Sequence, residues 1–333
     1  MISIATESEY ILNVPQDFST YHIVSVLGRG SFSVVFKVVN ITNKKEYACK
    51  VMLKNADHGN LYDDDQANFK LFAKVARHPN LIYFEDVIYE NDLKFIIMEL
   101  CENGELYHFI RNNPNVKPRT IQMIFFHIVS AISYLHSRDI AHRDIKPENV
   151  LLNKNMCGKI CDYGFSLNTK TIEYSQTPCG STYYSAPEVI SGRRYDPKKA
   201  DIWSIGVLLF YMRFGGIPWR LDSYEDVPNQ ILSGNFFIPS CERSLSTVIH
   251  ACMRIDPCMR PTAQELLMCE YLQSIDETHN SPLLSPRSIP RSTQKIIPKL
   301  VPRNIIPKKV ARSPNVQMVR FAAQKRYLRQ PFS

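Results

Sequence analysis

Eight residues near the middle of the chain, His142 to Asn149 in the stretch IAHRDIKPENVLL, hold acids, bases, an amide and a proline between apolar flanks. If those flanks pin the segment as a loop, Asp144, Lys146 and Asn149 converge on one small volume. There Asp144 can orient an attacking hydroxyl and accept its proton. Lys146 can neutralise a moving phosphoryl group, and Asn149 can ligate a metal. Eighteen residues after Asp144, behind the strand-like GKIC, comes DYG, Asp162 to Gly164. A single carboxylate there suits magnesium, which keeps its other positions for water and phosphate. Further upstream lies GRGSFSVV, Gly28 to Val35. Glycines let such a turn approach phosphates and offer them backbone N–H groups, although any tight hairpin also favours glycine. Lys50, in YACK, falls on a strand expected to be largely buried, with Ala48 on its face. A buried ammonium implies an anionic partner; a solvated strand-end lysine is the alternative.

The elements that must position these groups follow from periodicity. YHIVSVLG, SVVFKVVN and EYACKVM predict three antiparallel strands, and LIYFEDVIYE and LKFIIMELC two more. Between them NFKLFAKVARH has the spacing of one helix ending at His78-Pro79. Beyond Glu105 the pattern turns helical, with long buried helices over TIQMIFFHIVSAISYLHS and ADIWSIGVLLFYMRFG. The expected class is α+β. A small antiparallel-sheet lobe with one main helix reaches to about Leu100, and a larger, mainly helical lobe to about Leu272.

Composition bounds the rest. The 333 residues, 44% hydrophobic and 22% charged, suit a soluble globular protein. No window is apolar enough for a membrane span, and the N-terminus lacks the features of a signal peptide. The expectation is an intracellular, cytoplasmic protein, with the nucleus open. Nine scattered cysteines without CxxC pairs argue for reduced thiols rather than a disulfide framework or zinc site. The net charge of +8 resides in the tail, where Gln273 onward holds 12 Lys and Arg against 2 acids. A nucleic-acid binder would carry its basic patch on the folded domain, so that class is not expected. Residues 1–20 read as an N-terminal extension and 273–333 as a proline- and serine-containing basic tail, expected to be disordered. The last part, NVQMVRFAAQKRYLRQ, has the pattern of a basic amphipathic helix, with a membrane, calmodulin or the chain's own catalytic domain as candidate partners.

Taken in order, GRGSFSVV, YACK, HRDIKPEN, DYG, SAPE, DIWSIG and the arginine of DPCMRPT resemble the eukaryotic protein kinases over Tyr21 to about Leu272. The lysine after HRDI and the GSxxY turn before APE resemble the serine/threonine branch. TPCGSTYYSAPEVI and YDPKKADIWSIGVLLF are similar to its calmodulin-dependent and AMP-activated-like group. The resemblance implies phosphoryl transfer from ATP with Mg2+ to protein Ser/Thr hydroxyls. Leu27, Gly28, Arg29, Gly30, Ser31, Phe32, Ser33 and Val35 would cover the nucleotide. Val35, Ala48 and Leu151 would sandwich adenine, and Glu99 and Cys101 would offer hinge backbone groups behind Met98. By the same resemblance Lys50 holds phosphates, Asp144 is the catalytic base assisted by Lys146, and Asn149 and Asp162 bind the metal. Glu188 pairs with Arg260, and Asp201 braces the catalytic loop.

Three departures bear on activity. Ser33 replaces the third glycine, Tyr163 replaces a phenylalanine, and the predicted helix has Asn68 or Phe69 where a glutamate should steady Lys50. Asp64 and Asp65 lie about one turn upstream as substitutes. A lost charge-assisted hydrogen bond predicts roughly ten- to a hundredfold lower activity, and a nucleotide-binding pseudokinase scaffold is the alternative to an active enzyme. Arg143 would read a phosphate on Thr177, placed there by an upstream kinase. Glu105 and Glu148, with Ser181 nearby, would contact substrates with an upstream Arg or Lys; Tyr211 stands where some relatives carry another acid. Ser288 and Ser292, each after an arginine, give the tail a pseudosubstrate pattern, and Ser281, Ser285 and Ser313 precede prolines.

Overall fold

A computed structural model describes residues 1–53, 78–177, 179–221 and 226–273. The predicted helix with Asp64, Asp65, Asn68 and Phe69 lies outside the described residues. So does the tail from residue 274, with its serine sites and basic amphipathic pattern.

The small lobe is a six-stranded antiparallel sheet in the order β3-β4-β5-β6-β8-β7. Its strands are β3 (Asp17–Phe18), β4 (Tyr21–Arg29), β5 (Ser33–Asn40), β6 (Glu46–Leu53), β7 (Phe84–Glu90) and β8 (Leu93–Glu99). Alternation on β5 explains its packing: Val34, Phe36 and Val38 are fully buried, while Val35, Lys37 and Val39 between and after them are only half-buried. Register sets the site. Val35 faces Lys50 across the β5/β6 pair, and Lys50 faces Ile96 across β6/β8.

Residues 1–20, which carried no structural expectation, also form strands. β1 (Ile2–Ala5) and β2 (Ile11–Val14) make an antiparallel hairpin in which Ile2 pairs with Val14. Ile4, Leu12 and Val14 are buried in the same apolar cluster as Phe18, Val34 and Phe36.

The larger lobe is built on two helices. α2 (Pro118–His136) follows the short α1 (Leu106–Asn112), starts with a proline in its first turn, and buries Ile121, Ile124, Phe125, Ile128, Ile132 and Leu135 at helical spacing. After α3 (Pro187–Ile190), α4 (Pro197–Phe214) is capped by the Asp196 carboxylate, which accepts from the Lys198 and Lys199 amides. It ends at Gly215, whose φ of 74° is the left-handed conformation glycine adopts freely. α5 (Asp226–Ser233), α6 (Arg243–Cys252), α7 (Ala263–Leu267) and α8 (Glu270–Gln273) complete the described residues. No described helix is long and apolar enough to cross a membrane. All nine cysteines are unpaired, and Cys258 is the exposed one.

Candidate active site

Two short ribbons pin the ends of the HRDIKPEN segment. β9 (Ile140–Ala141) pairs with β12 (Leu167–Asn168), and β10 (Val150–Leu152) with β11 (Gly158–Ile160). Between them Arg143 takes a left-handed φ of 66°, a costly conformation for a residue with a Cβ. Asp201, on α4 and only 1% exposed, holds it there. Its carboxylate accepts the His142 amide at 2.8 Å, the Arg143 amide at 2.7 Å and His136 Nε2 at 2.9 Å. The His142 ring is fixed as well: its Nδ1 accepts the Asp144 amide, and its Nε2 donates to the Cys161 carbonyl at 3.1 Å.

Asp144 is buried and fully engaged. Asn149 Nδ2 and Lys146 Nζ each approach Oδ2 at 2.8 Å, and the Ser181 amide and hydroxyl donate to Oδ1 at 3.1 and 3.3 Å. Lys146 also donates to the Ser181 hydroxyl at 2.9 Å. Burial works against the Lys146 charge, but the Asp144 carboxylate raises its pKa overall. A half-buried cation, a buried carboxylate and a hydroxyl are therefore held in one volume. Gly180 brings Ser181 in: at φ 88°, any Cβ would stand 2.6 Å from the Arg143 carbonyl.

Asp162 adopts a left-handed φ of 58° and pairs with Lys50 Nζ at 3.1 Å. The Lys50 charge holds the Asp162 carboxyl down at about 2, so it is ionised throughout the physiological range. Next to it, Tyr163 does more than preserve an aromatic ring. Its hydroxyl donates to the Ile160 carbonyl at 2.9 Å while the ring lies 5.6 Å from His142 and 5.8 Å from Phe84. The donor set suits a hard cation. Asn149 spends its amide nitrogen on Asp144, which turns its amide oxygen elsewhere, and Asp162 offers an exposed carboxylate. Among the described residues no cluster of three or more His, Cys, Asp or Glu forms a metal cage. Two oxygen donors match magnesium, which dehydrates reluctantly and shares its shell with phosphates.

Among the residues expected to enclose a nucleotide, Ala48, Met98 and Cys101 are buried, Val35 and Leu151 half-buried, and Leu27 and Arg29 exposed. Leu151 bridges to Glu105. The Glu99 amide donates to the Tyr83 carbonyl, and its carboxylate pairs with Lys159 at 2.8 Å, so these groups are committed to the fold. The Cys101 carbonyl likewise accepts from Gly104, and burial pushes its thiol up to about 12. Ser33 is buried, its carbonyl accepting the Gly30 amide at 2.7 Å. Its hydroxyl packs beneath Gly30, where an added Cβ would stand 3.0 Å away.

Arg143 donates to the Phe165 carbonyl at 2.6 Å and the Ser175 hydroxyl at 3.2 Å. Thr177 is half-buried; its amide reaches the same Ser175 hydroxyl, and its carbonyl accepts from Tyr195. Ser175 thus joins Arg143 to Thr177, a link with no signal in the sequence. Burial raises the Glu105 carboxyl, and His108 at 3.7 Å and neighbouring Glu148 act on it in opposite directions. Tyr211 is buried and donates to the Tyr107 carbonyl. Farther away, Arg260 is 2% exposed and forks onto Glu188 at 2.6 and 2.7 Å. It also donates to the Lys199, Arg254 and Ile255 carbonyls and lies over the Trp203 ring.

The chain is similar to known proteins over most of its length. A model of the protein kinase domain family matches residues 21–272. Serine/threonine-protein kinase SIK1 of Mus musculus is 32% identical over 259 residues, covering 76% of this chain and 33% of that protein. Serine/threonine-protein kinase SIK2 of Gallus gallus is 33% identical over 259 residues, covering 76% of this chain and 32% of its own length. Sperm motility kinase 2A of Mus musculus is 34% identical over 244 residues, covering 73% of this chain and 45% of its own length. The chain spans about a third of the length of the first two relatives.

Proposed function

Because the chain belongs to the protein kinase domain family, we propose that it is a serine/threonine protein kinase that transfers the γ-phosphoryl group of ATP to hydroxyls of protein substrates. One observation carries this reading: Asp144, Lys146, Asn149 and Ser181 share a single hydrogen-bonded cluster, with Lys50 and Asp162 paired separately. Asp144 orients the acceptor hydroxyl and takes its proton. Lys146, kept protonated beside that carboxylate, offsets charge on the moving phosphoryl group. Lys50 binds the α and β phosphates, and Val35, Ala48 and Leu151 enclose the adenine. Asn149 and Asp162 would hold magnesium, whose positive charge would offset that of the phosphates.

Arg143 and Thr177 form the regulatory pair in this reading, with an upstream kinase adding the phosphate. Glu105 and Glu148 favour substrates with an Arg or Lys before the acceptor. Nine unpaired thiols fit a reducing compartment, the cytoplasm or the nucleus. One sequence feature favours the alternative, a nucleotide-binding scaffold: there is no acid at Asn68 or Phe69. The discriminating experiment is radiolabelled phosphate transfer to a peptide library by the full chain. Transfer that Asp144→Asn abolishes supports the enzyme, and nucleotide binding without transfer supports the scaffold.

A further inference from the structure

The N-terminal hairpin lies outside the span matched by the family model, yet it touches the phosphate-covering turn. Its tip is tightly built. The Thr6 amide donates to the Tyr10 carbonyl at 2.8 Å, the Glu9 amide to the Thr6 carbonyl at 3.2 Å, and the Tyr10 amide to the Thr6 hydroxyl at 3.2 Å. Glu9 takes a left-handed φ of 65° to close the turn, and Thr6 is buried. From this tip the Glu7 amide donates to the Gly30 carbonyl at 3.0 Å and the Ser8 amide to the Ser31 carbonyl at 3.3 Å. The Tyr10 ring then lies 5.6 Å from that of Phe32, at the apex of the glycine-rich turn.

Anchoring and contact are separate parts of the hairpin. Ile4, Leu12 and Val14 fix it in the apolar core of the small lobe, whereas Tyr10 and Phe32 remain 52% and 41% exposed. Gly30 has no side chain to restrict its backbone, so the turn that contains it is conformationally loose by composition. The hairpin supplies outside support to such a turn through the Gly30 and Ser31 carbonyls.

We propose that Tyr10 and the Thr6–Tyr10 turn are positioning elements that hold the Gly30–Phe32 turn closed over the nucleotide phosphates. The inference rests on the kinase reading and adds to it a determinant outside the matched domain. Opening the turn to release nucleotide requires separating the two backbone hydrogen bonds and the ring pair. The structure therefore couples residues 6–10 to nucleotide residence time, leaving the peptide side unaffected.

The test uses the full chain, a fluorescent ATP analogue and stopped-flow release, with KM for ATP and for peptide measured separately. Tyr10→Ala is expected to speed release and raise KM for ATP roughly three- to tenfold, the scale of one aromatic contact. KM for peptide and the melting temperature should stay unchanged, because Tyr10 lies half in solvent. Tyr10→Phe, which keeps the ring, should release nucleotide at the wild-type rate. Phe32→Ala should speed release too, and the double variant should add nothing to it. Release unchanged in Tyr10→Ala, or additive effects in the double variant, overturns the proposal while leaving the kinase reading intact. Wild-type protein that binds no nucleotide overturns both.

Discussion

Asp144 and Asp162 sit 18 positions apart and face different surroundings, which suits the separate roles proposed for them, proton acceptor and metal ligand. Asp144→Asn should lower phosphate transfer by about 10² to 10⁴, the range of general-base contributions, with nucleotide affinity retained in a binding assay. Lys50 depresses the Asp162 pKa to about 2, below its unfolded value near 3.9. That group's contribution to stability is thus present above about pH 4 and is lost as pH falls through the folded value. In Lys50→Met the Asp162 carboxyl should titrate closer to the unfolded value, moving the acid loss upward; carboxyl NMR of both proteins checks it, and coincident titrations would contradict the pairing. Tyr163→Phe removes a buried hydroxyl donor from Ile160, whose carbonyl still accepts the Ile82 amide at 2.9 Å. The expected cost is about 0.5 to 1.5 kcal/mol in urea denaturation. The sequence announced Asp144, Lys146 and Asn149 because they are close in the chain. It was silent on His136 and Ser175, whose partners come from other elements and depend on tertiary approach.

At the scale of elements, α4 does two jobs. Its first turn is capped by Asp196, and one turn further Asp201 reaches across to the His142–Asn149 loop. Asp201→Ala removes the acceptor of two backbone amides and a histidine, leaving Arg143 to relax from φ 66°. Losing charged hydrogen bonds of this kind costs about 1.5 to 3 kcal/mol each, so unfolding should shift to much lower denaturant and transfer should fall in parallel. The control proposed through Thr177 is a second matter of elements. Thr177→Ala should lower activity several-fold in protein treated with an activating kinase, and equal rates would remove the regulatory pair. Legibility followed periodicity here. β5 and α2 were readable because Val34, Phe36 and Val38 alternate and Ile121, Ile124, Phe125 and Ile128 repeat at helical spacing. β1 and β2 were harder, since each offers two buried positions at most and Tyr10-Ile11 blurs the alternation.

For the whole molecule, the fork between Arg260 and Glu188 ties the segment after the activation region to the last part of the helical lobe across 72 residues. Both partners are largely buried, so Arg260→Met should destabilise by about 3 to 5 kcal/mol through the stranded Glu188 carboxylate. Pairing it with Glu188→Leu should recover part of that loss in a denaturation series. Such long-range pairs connect distant residues by shape rather than by pattern, and the sequence indicated this one through family resemblance alone. The distribution of thiols has a practical consequence. Burial raises the pKa of Cys49, Cys101, Cys161 and Cys252, keeping them protonated, while Cys258 stands in solvent in the large lobe. A maleimide at neutral pH should therefore attach first at Cys258, giving a native handle for a single fluorophore that leaves phosphate-transfer activity intact.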